Sequence, residues 1–104
     1  MANLYRAFIH MDVYGKARSN EEYCHELFLT KGTYDIVLKA ADKRVDLDLY
    51  ITDNEGTILY KDESEDSGAA AWLEVYNEEV FRLYVRSFGE TDYTIAVTER
   101  IAEQ

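Results

Sequence analysis

The chain has 104 residues, of which 47% are hydrophobic and 9 are tyrosines, and it contains no proline. This length suffices for one domain with its own core, and the abundance of aromatic strand formers excludes a disordered chain. The 21 acidic and 11 basic residues give a formal net charge of -10, and this field disfavours binding to nucleic acid and to anionic membrane surfaces.

The N-terminal residues contain no basic segment followed by a long apolar run, so the sequence shows no signal peptide. We therefore expect a cytoplasmic protein if the chain is whole, and a secreted one if it is a domain excised from a longer protein. Cys24 is the only cysteine, so the fold must form without an intrachain disulfide.

Short runs in which apolar and polar residues alternate recur along the chain at the spacing typical of a β-sandwich or barrel. They predict eight strands, near residues 4–14, 22–30, 33–40, 45–52, 57–62, 69–76, 79–88 and 91–100. The expected fold is a single all-β domain over residues 1–104, an antiparallel β-sandwich of jelly-roll type.

The alternation also predicts which side chains face the core, because successive residues of a strand point to opposite faces. The predicted inward residues are Tyr34, Ile36, Leu38, Ala40, Leu47, Leu49, Ile51, Ala71, Leu73, Val75, Phe81, Leu83, Val85, Tyr93, Ile95 and Val97. The predicted outward residues are Asp46, Asp48, Tyr50, Arg82, Tyr84, Arg86, Thr94 and Thr98.

Two turns carry a glycine where a tight hairpin requires a positive φ: the segment Thr30 to Thr33, with Gly32, and the segment Asp53 to Gly56. Both are predicted to be hairpins. Ser67-Gly68 and Gly89-Glu90 are further turn signals of the same type.

Four segments of the chain carry a family resemblance: LFLTKGTY at 27–34, DLDLYITDNEG at 46–56, VFRLYVRSF at 80–88 and DYTIAV at 92–97. Over roughly residues 22–98 the chain resembles the bacterial pre-peptidase C-terminal domain family. The resemblance implies a β-sandwich without catalytic activity, of a kind usually attached to secreted peptidases. Close relatives of that family include calcium-dependent collagen-binding domains of bacterial collagenases.

Four carboxylates form the candidate metal site. Asp46 and Asp48 share the polar face of one predicted strand, and Asp53 and Glu55 lie in the turn that follows. Oxygen ligands of this kind suit calcium, which takes six to eight of them. The alternative is a solvated acidic strand face and a turn aspartate that caps its own backbone.

The segment 62–66 holds four carboxylates in five residues, and it is expected to be an exposed loop or a docking patch for a basic partner. Cys24 and His25 are adjacent, so a strand points them to opposite faces and they cannot act together as a catalytic pair. We expect a half-buried structural cysteine and a histidine packed among aromatic rings, and we assign no catalytic residue.

Aromatic and basic residues on predicted outward faces form a candidate surface for a protein, peptide or polysaccharide. They are Trp72, Tyr76, Tyr84, Arg82 and Arg86. The alternative is that these aromatic side chains cover the ends of the sandwich. Tyr50 lies on an outward face as well.

Two functions compete on this basis. The first is a non-catalytic binding module that presents a face or its loops to a partner. The second is a free-standing acidic intracellular inhibitor or immunity-like protein, whose net charge steers it to a basic target. An enzyme ranks last, and the oligomeric state stays open because a sandwich keeps edge strands that can pair with a second copy.

Overall fold

The computed structural model describes residues 4–103, and it describes side chains for residues 11–100. It contains the eight predicted strands: β1 (Leu4–Ala17), β2 (Glu21–Leu29), β3 (Gly32–Ala40), β4 (Leu47–Thr52), β5 (Ile58–Asp62), β6 (Gly68–Val75), β7 (Glu79–Ser87) and β8 (Thr91–Glu103). No helix of the described residues is long and apolar enough to cross a membrane.

The strands form two four-stranded antiparallel sheets. The first sheet has the order β1-β8-β3-β6 and the second the order β2-β7-β4-β5. Every connection except that between β4 and β5 passes from one sheet to the other. This strand order is that of an eight-stranded jelly roll, so the predicted fold is confirmed.

The core lies between the two sheets and is built from the inward residues of β3, β4, β6, β7 and β8. Its fully buried side chains include Ile36, Leu49, Ile51, Leu83 and Ile95, each of which contributes about 1.5–3 kcal/mol by leaving water. All the predicted inward residues are buried except Ala40, which is half-buried and packs against the core.

The two predicted hairpins have different outcomes. The turn from Asp53 to Gly56 joins β4 to β5 within one sheet, and Gly56 has a φ of 88°. The prediction for Thr30 to Thr33 is wrong, because this segment carries the chain from β2 in the second sheet to β3 in the first. A crossing between layers about 10 Å apart does not require a hairpin turn, and Gly32 has no positive φ.

The first and last strands are each three residues longer than predicted. β1 continues to Ala17 because Lys16 and Ala17 pair with Asp92 and Thr91 of β8. The β1–β2 turn that follows holds Asn20 at a φ of 63°, a conformation that asparagine tolerates better than most residues. This pairing places the end of β1 beside the start of β8.

Candidate functional site

An open cavity lies on the outer face of the first sheet, over strands β1, β8 and β3. Its volume is about 550 Å³, within the range of roughly 300–1,000 Å³ that is typical of small-molecule sites. The side chains that give it chemical character are Tyr14, Lys16, Lys39, Asp92 and Thr94.

The strand register brings these residues together. Thr94 is paired with Tyr14 on one side and with Lys39 on the other, so the three form one row across the sheet. Lys16 and Asp92 form the next row. Neighbouring strands are about 4.8 Å apart, so the Cα atoms of Tyr14 and Lys39 are separated by about 10 Å.

The aromatic wall of the cavity is Tyr14, whose side chain is 74% exposed. Its hydroxyl lies 3.4 Å from Oδ2 of Asp12 on the same strand. A long hydrogen bond of this kind holds the ring only loosely. The ring therefore offers an apolar surface to a ligand at little cost in lost contacts.

Positive charge in the cavity comes from Lys16 and Lys39, both exposed. Neither ammonium group forms an ion pair with any residue whose side chain the structure describes. Lys16 stands opposite Asp92 in the register, yet their charged groups are not within ion-pair distance. Both lysines are thus free to contact an anionic group.

Small residues form the floor of the cavity. Gly15, Ala40 and Ala41 lie between the larger side chains, so a ligand can approach the sheet closely. A side chain at position 15 would overlap the phenol ring of Tyr93, which is 2% exposed and points into the core. Glycine at this position is therefore required by packing beneath the cavity.

The residues predicted to bind a partner are divided between the two outer faces of the sandwich. Trp72 on β6 and Tyr76 just after it belong to the first sheet, and they are 55% and 72% exposed. Arg82, Tyr84 and Arg86 lie on β7 of the second sheet. The core separates the two groups, so the structure does not bring them together into one surface.

The two arginines of β7 already have partners within the chain. Arg82 forms an ion pair with Glu26 of β2 at 3.3 Å, and its guanidinium lies 3.4 Å from the carbonyl oxygen of Asn54. The guanidinium of Arg86 lies 5.4 Å from the ring centre of Phe88, a cation–π contact. These contacts hold both arginines against their own sheet.

Cys24 and His25 point to opposite faces of β2, as predicted. The prediction of a half-buried cysteine is wrong: Cys24 is exposed, because it faces outward on an edge strand, opposite Tyr84. His25 faces inward and packs edge-on against Tyr93, with 5.7 Å between the ring centres. Burial lowers the pKa of His25 below its usual value.

The four predicted calcium ligands are separated by the length of β4. Asp46 and Asp48 lie at its start, whereas Asp53 and Glu55 lie beyond its end. A strand of this length spans about 20 Å. Oδ1 of Asp53 accepts hydrogen bonds from the backbone N–H groups of Glu55 and Thr57, each at 2.9 Å, so this carboxylate caps its own turn.

Asp46 and Asp48 lie beside the loop 62–66 and not beside the turn that holds Asp53 and Glu55. The backbone N–H of Leu47 donates to the carbonyl oxygen of Asp66 at 3.0 Å. Oδ1 of Asp46 and Oδ1 of Asp48 are buried without a hydrogen-bond partner. Burial raises the pKa of both carboxyl groups, and neighbouring carboxylates, Glu65 for Asp46 and Asp46 for Asp48, raise them further.

The alternative prediction, in which Asp46 and Asp48 lie on a solvated acidic face of β4, is therefore wrong for Asp48. Asp48 is only 5% exposed, because β4 is an inner strand of its sheet. Of the segment 62–66, which was predicted to be an exposed loop, residues 63–66 are exposed, whereas Asp62 ends β5 and is half-buried. Among the residues with described side chains, no three of the Asp, Glu, His or Cys type are placed to hold a metal ion.

The residues of the cavity were not identified as a site from the sequence. Alternation places Thr94 on an outward face, but nothing local to Tyr14, Lys16 or Lys39 shows that they share a surface. Their proximity depends on the register of β1 against β8 and of β8 against β3. The available signal was Lys39, one residue before the end of the predicted strand 33–40, whereas Lys16 lay beyond the predicted end of the strand 4–14.

Two comparisons with known proteins give no relative. No protein-family model matches the chain, and no curated protein matches it in sequence. The candidate function is therefore argued from the geometry of the cavity and from the resemblance over residues 22–98.

Proposed function

We propose that the chain is a non-catalytic binding module that presents the outer face of the β1-β8-β3-β6 sheet to a ligand. The observation that carries this proposal is the open cavity of about 550 Å³ with an exposed tyrosine and two lysines that have no ion-pair partner among residues 11–100. The accessory role implied by the resemblance to the pre-peptidase C-terminal domain family agrees with it.

The chemistry of the cavity favours binding over catalysis. Asp92 is the single carboxylate among its lining residues, and no histidine, cysteine or serine accompanies it. Nucleophilic catalysis needs a nucleophile within hydrogen-bond distance of a base that is itself oriented by a third group. Tyr14, Thr94 and the two lysines are instead groups that recognise a ligand by stacking, hydrogen bonding and charge.

A second candidate function is the acidic inhibitor that binds a basic target. One observation favours it: the exposed loop 63–66 lies beside Asp46 and Asp48, and carboxylates of this loop raise the pKa of both residues. This concentration of negative charge would accelerate association with a basic surface. On this alternative the interface is the β5–β6 loop, which passes from the second sheet to the first and lies outside the lining of the cavity.

Nuclear magnetic resonance titration of the ¹⁵N-labelled protein distinguishes the two functions. A panel of soluble oligosaccharides and peptides, including a short polylysine peptide, is added to the wild type, and the shifted amides are mapped. We expect shifts at the end of β1, the start of β8 and the end of β3, with binding lost in Tyr14→Ala. Tyr76→Ala is the matched control, because this tyrosine is equally exposed but lies outside the cavity.

Two results would contradict the binding module. One is a panel in which no compound shifts amides near the cavity. The other is a set of shifts confined to residues 62–66 and produced by polylysine alone, which would support the acidic inhibitor. Binding by polylysine is also expected to weaken steeply with salt, because exposed charges are screened.

A further inference from the structure

We propose that the ligand of the cavity is an anionic saccharide, an oligosaccharide that carries carboxylate or sulfate groups. This inference rests on the proposed function, because it assigns a ligand class to the same site. Three features of the cavity support it: an aromatic ring, two lysines without ion-pair partners and a pair of hydrogen-bonding groups between them.

The aromatic ring favours a sugar. The face of a pyranose ring presents C–H groups and its rim presents hydroxyls, so it stacks on an exposed aromatic surface while the rim stays hydrated. Tyr14 is 74% exposed and stands on the edge strand β1, where a ring can lie against it. Gly15 and Ala40, which turn inward beside it, also line the cavity.

The lysines favour an anionic sugar over a neutral one. Lys39 lies two strands from Tyr14 in the same row, about 10 Å away, and Lys16 lies in the adjacent row. A sugar stacked on Tyr14 would therefore place its own acidic group near Lys16 and that of the next sugar near Lys39. An acidic group can reach both ammonium groups without displacing an existing ion pair.

Asp92 and Thr94 favour a saccharide over a polyphosphate. Thr94 is central in the row between Tyr14 and Lys39, and Asp92 pairs with Lys16 in the next row. A threonine hydroxyl and a carboxylate accept hydrogen bonds from sugar hydroxyls. A polyphosphate chain has no hydroxyl donors to offer these two acceptors.

Calorimetric titration with two matched probes tests the inference. The first probe is a short oligogalacturonate, and the second is its fully methyl-esterified form, which keeps the sugar rings but loses the charge. We expect the acidic form to bind at least about tenfold more tightly at low salt. A heparin-derived oligosaccharide of similar length then shows whether sulfate replaces carboxylate.

Substitutions locate the binding. Lys16→Gln and Lys39→Gln are each expected to weaken binding of the acidic probe about two- to fivefold, because an ion pair exposed to solvent contributes little free energy. Tyr14→Ala is expected to weaken it about tenfold. Lys61→Gln and Tyr76→Ala, which change exposed residues outside the cavity, are expected to leave it unchanged.

The outcomes separate this inference from the proposed function. Equal binding of the acidic and esterified probes would overturn the anionic specificity while leaving a binding module in place. Binding of a peptide at the cavity with no affinity for either saccharide would overturn the saccharide assignment alone. Tight binding that none of the cavity variants weakens would overturn both, because the ligand would then lie elsewhere.

Discussion

The imidazole Nε2 of His25 lies 2.5 Å from the phenol oxygen of Tyr93, so a hydrogen bond links the inner faces of the two sheets. Tyr93 is 2% exposed and His25 is half-buried, so water reaches this contact only in part. A buried polar group that loses its partner retains the cost of leaving water. This contact is therefore expected to contribute to stability as well as to the position of the Tyr93 ring beneath the cavity.

Tyr93→Phe is expected to lower the free energy of unfolding by about 1–2 kcal/mol, because it leaves the imidazole without its partner. Urea unfolding followed by circular dichroism measures this. Tyr76→Phe is the matched control, since the exposed Tyr76 hydroxyl donates to Glu74 and its loss should cost less than about 0.5 kcal/mol. Equal effects for the two variants would show that the link between the sheets is not stabilising.

The stability of the protein is also expected to depend on the charge of His25. Burial lowers its pKa below 6.5, so the unfolded chain binds more protons than the folded one just below that pH. Stability therefore decreases as the pH falls below about 6.5. Tyr93, which packs against the imidazole, and Tyr23, which packs against Tyr93, stay neutral there, because the usual tyrosine pKa of about 10 is far above this pH and the pKa of both is raised further.

Denaturant unfolding of the wild type and of His25→Gln at several pH values between about 5 and 7.5 tests this dependence. The difference between the two proteins isolates the contribution of His25 from that of every other titrating group. We expect the wild type to lose more stability on acidification than the variant. Parallel curves would contradict the assignment.

Gly15→Ala is expected to destabilise the protein by about 1–3 kcal/mol, because the new methyl group would overlap the Tyr93 ring. A double-mutant cycle separates this clash from a general cost of alanine on β1. In a Tyr93→Leu background the smaller side chain leaves space, so the same substitution should be nearly neutral. An undiminished cost in that background would show that the ring is not the cause.

The jelly-roll fold was predictable because its main determinant is local. Alternation along Leu47, Leu49 and Ile51, or along Phe81, Leu83 and Val85, shows which side of a strand is apolar without knowledge of its neighbours. Strand order is not local, and a turn sequence does not distinguish a hairpin from a crossing between sheets. That is why the Gly32 turn was assigned wrongly while the Gly56 turn was assigned correctly.

The cavity depends on pairings between residues distant in sequence. Tyr14 and Thr94 are neighbours only because the first and last strands pair, and Lys39 joins them through the pairing of β3 with β8. The burial of Asp48 has the same origin, since β4 lies between β5 and β7. The sequence identified these carboxylates as unusual, but it associated them with the wrong partners.

Calcium offers one way to neutralise the carboxylates near the start of β4. Because no three of the described carboxylates are placed to hold a metal ion as they stand, calcium at Asp46, Asp48 and loop 63–66 would bind weakly, and millimolar CaCl₂ would then raise the melting temperature of the wild type more than NaCl of equal ionic strength does. We expect Asp48→Asn to reduce that difference and Asp53→Asn to leave it unchanged, since Asp53 caps its own turn. Equal melting temperatures in the two salts would contradict calcium binding.

Asp48→Asn tests the cost of the buried carboxylate directly. Asp48 is 5% exposed and is paired with Arg86 in the register of β4 and β7. The Arg86 guanidinium lies over the ring of Phe88 instead. Oδ1 of Asp48 therefore has no hydrogen-bond partner among the residues that the structure describes. Burial raises the pKa of Asp48 in the folded protein, so its ionisation costs stability at neutral pH. That cost disappears as the pH falls below about 3.8, the pKa of the carboxyl group in the unfolded chain.

The substitution is therefore expected to raise the free energy of unfolding at pH 7 by about 1 kcal/mol. It should have less effect at pH 4, where the wild-type carboxyl group is more often protonated. Asp35→Asn is the matched control: its carboxylate accepts two hydrogen bonds from Arg100, at 2.6 and 2.7 Å, so this change should destabilise the protein. If Asp48→Asn is also destabilising at pH 7, the carboxylate has a partner such as a bound cation, and the calcium comparison identifies it.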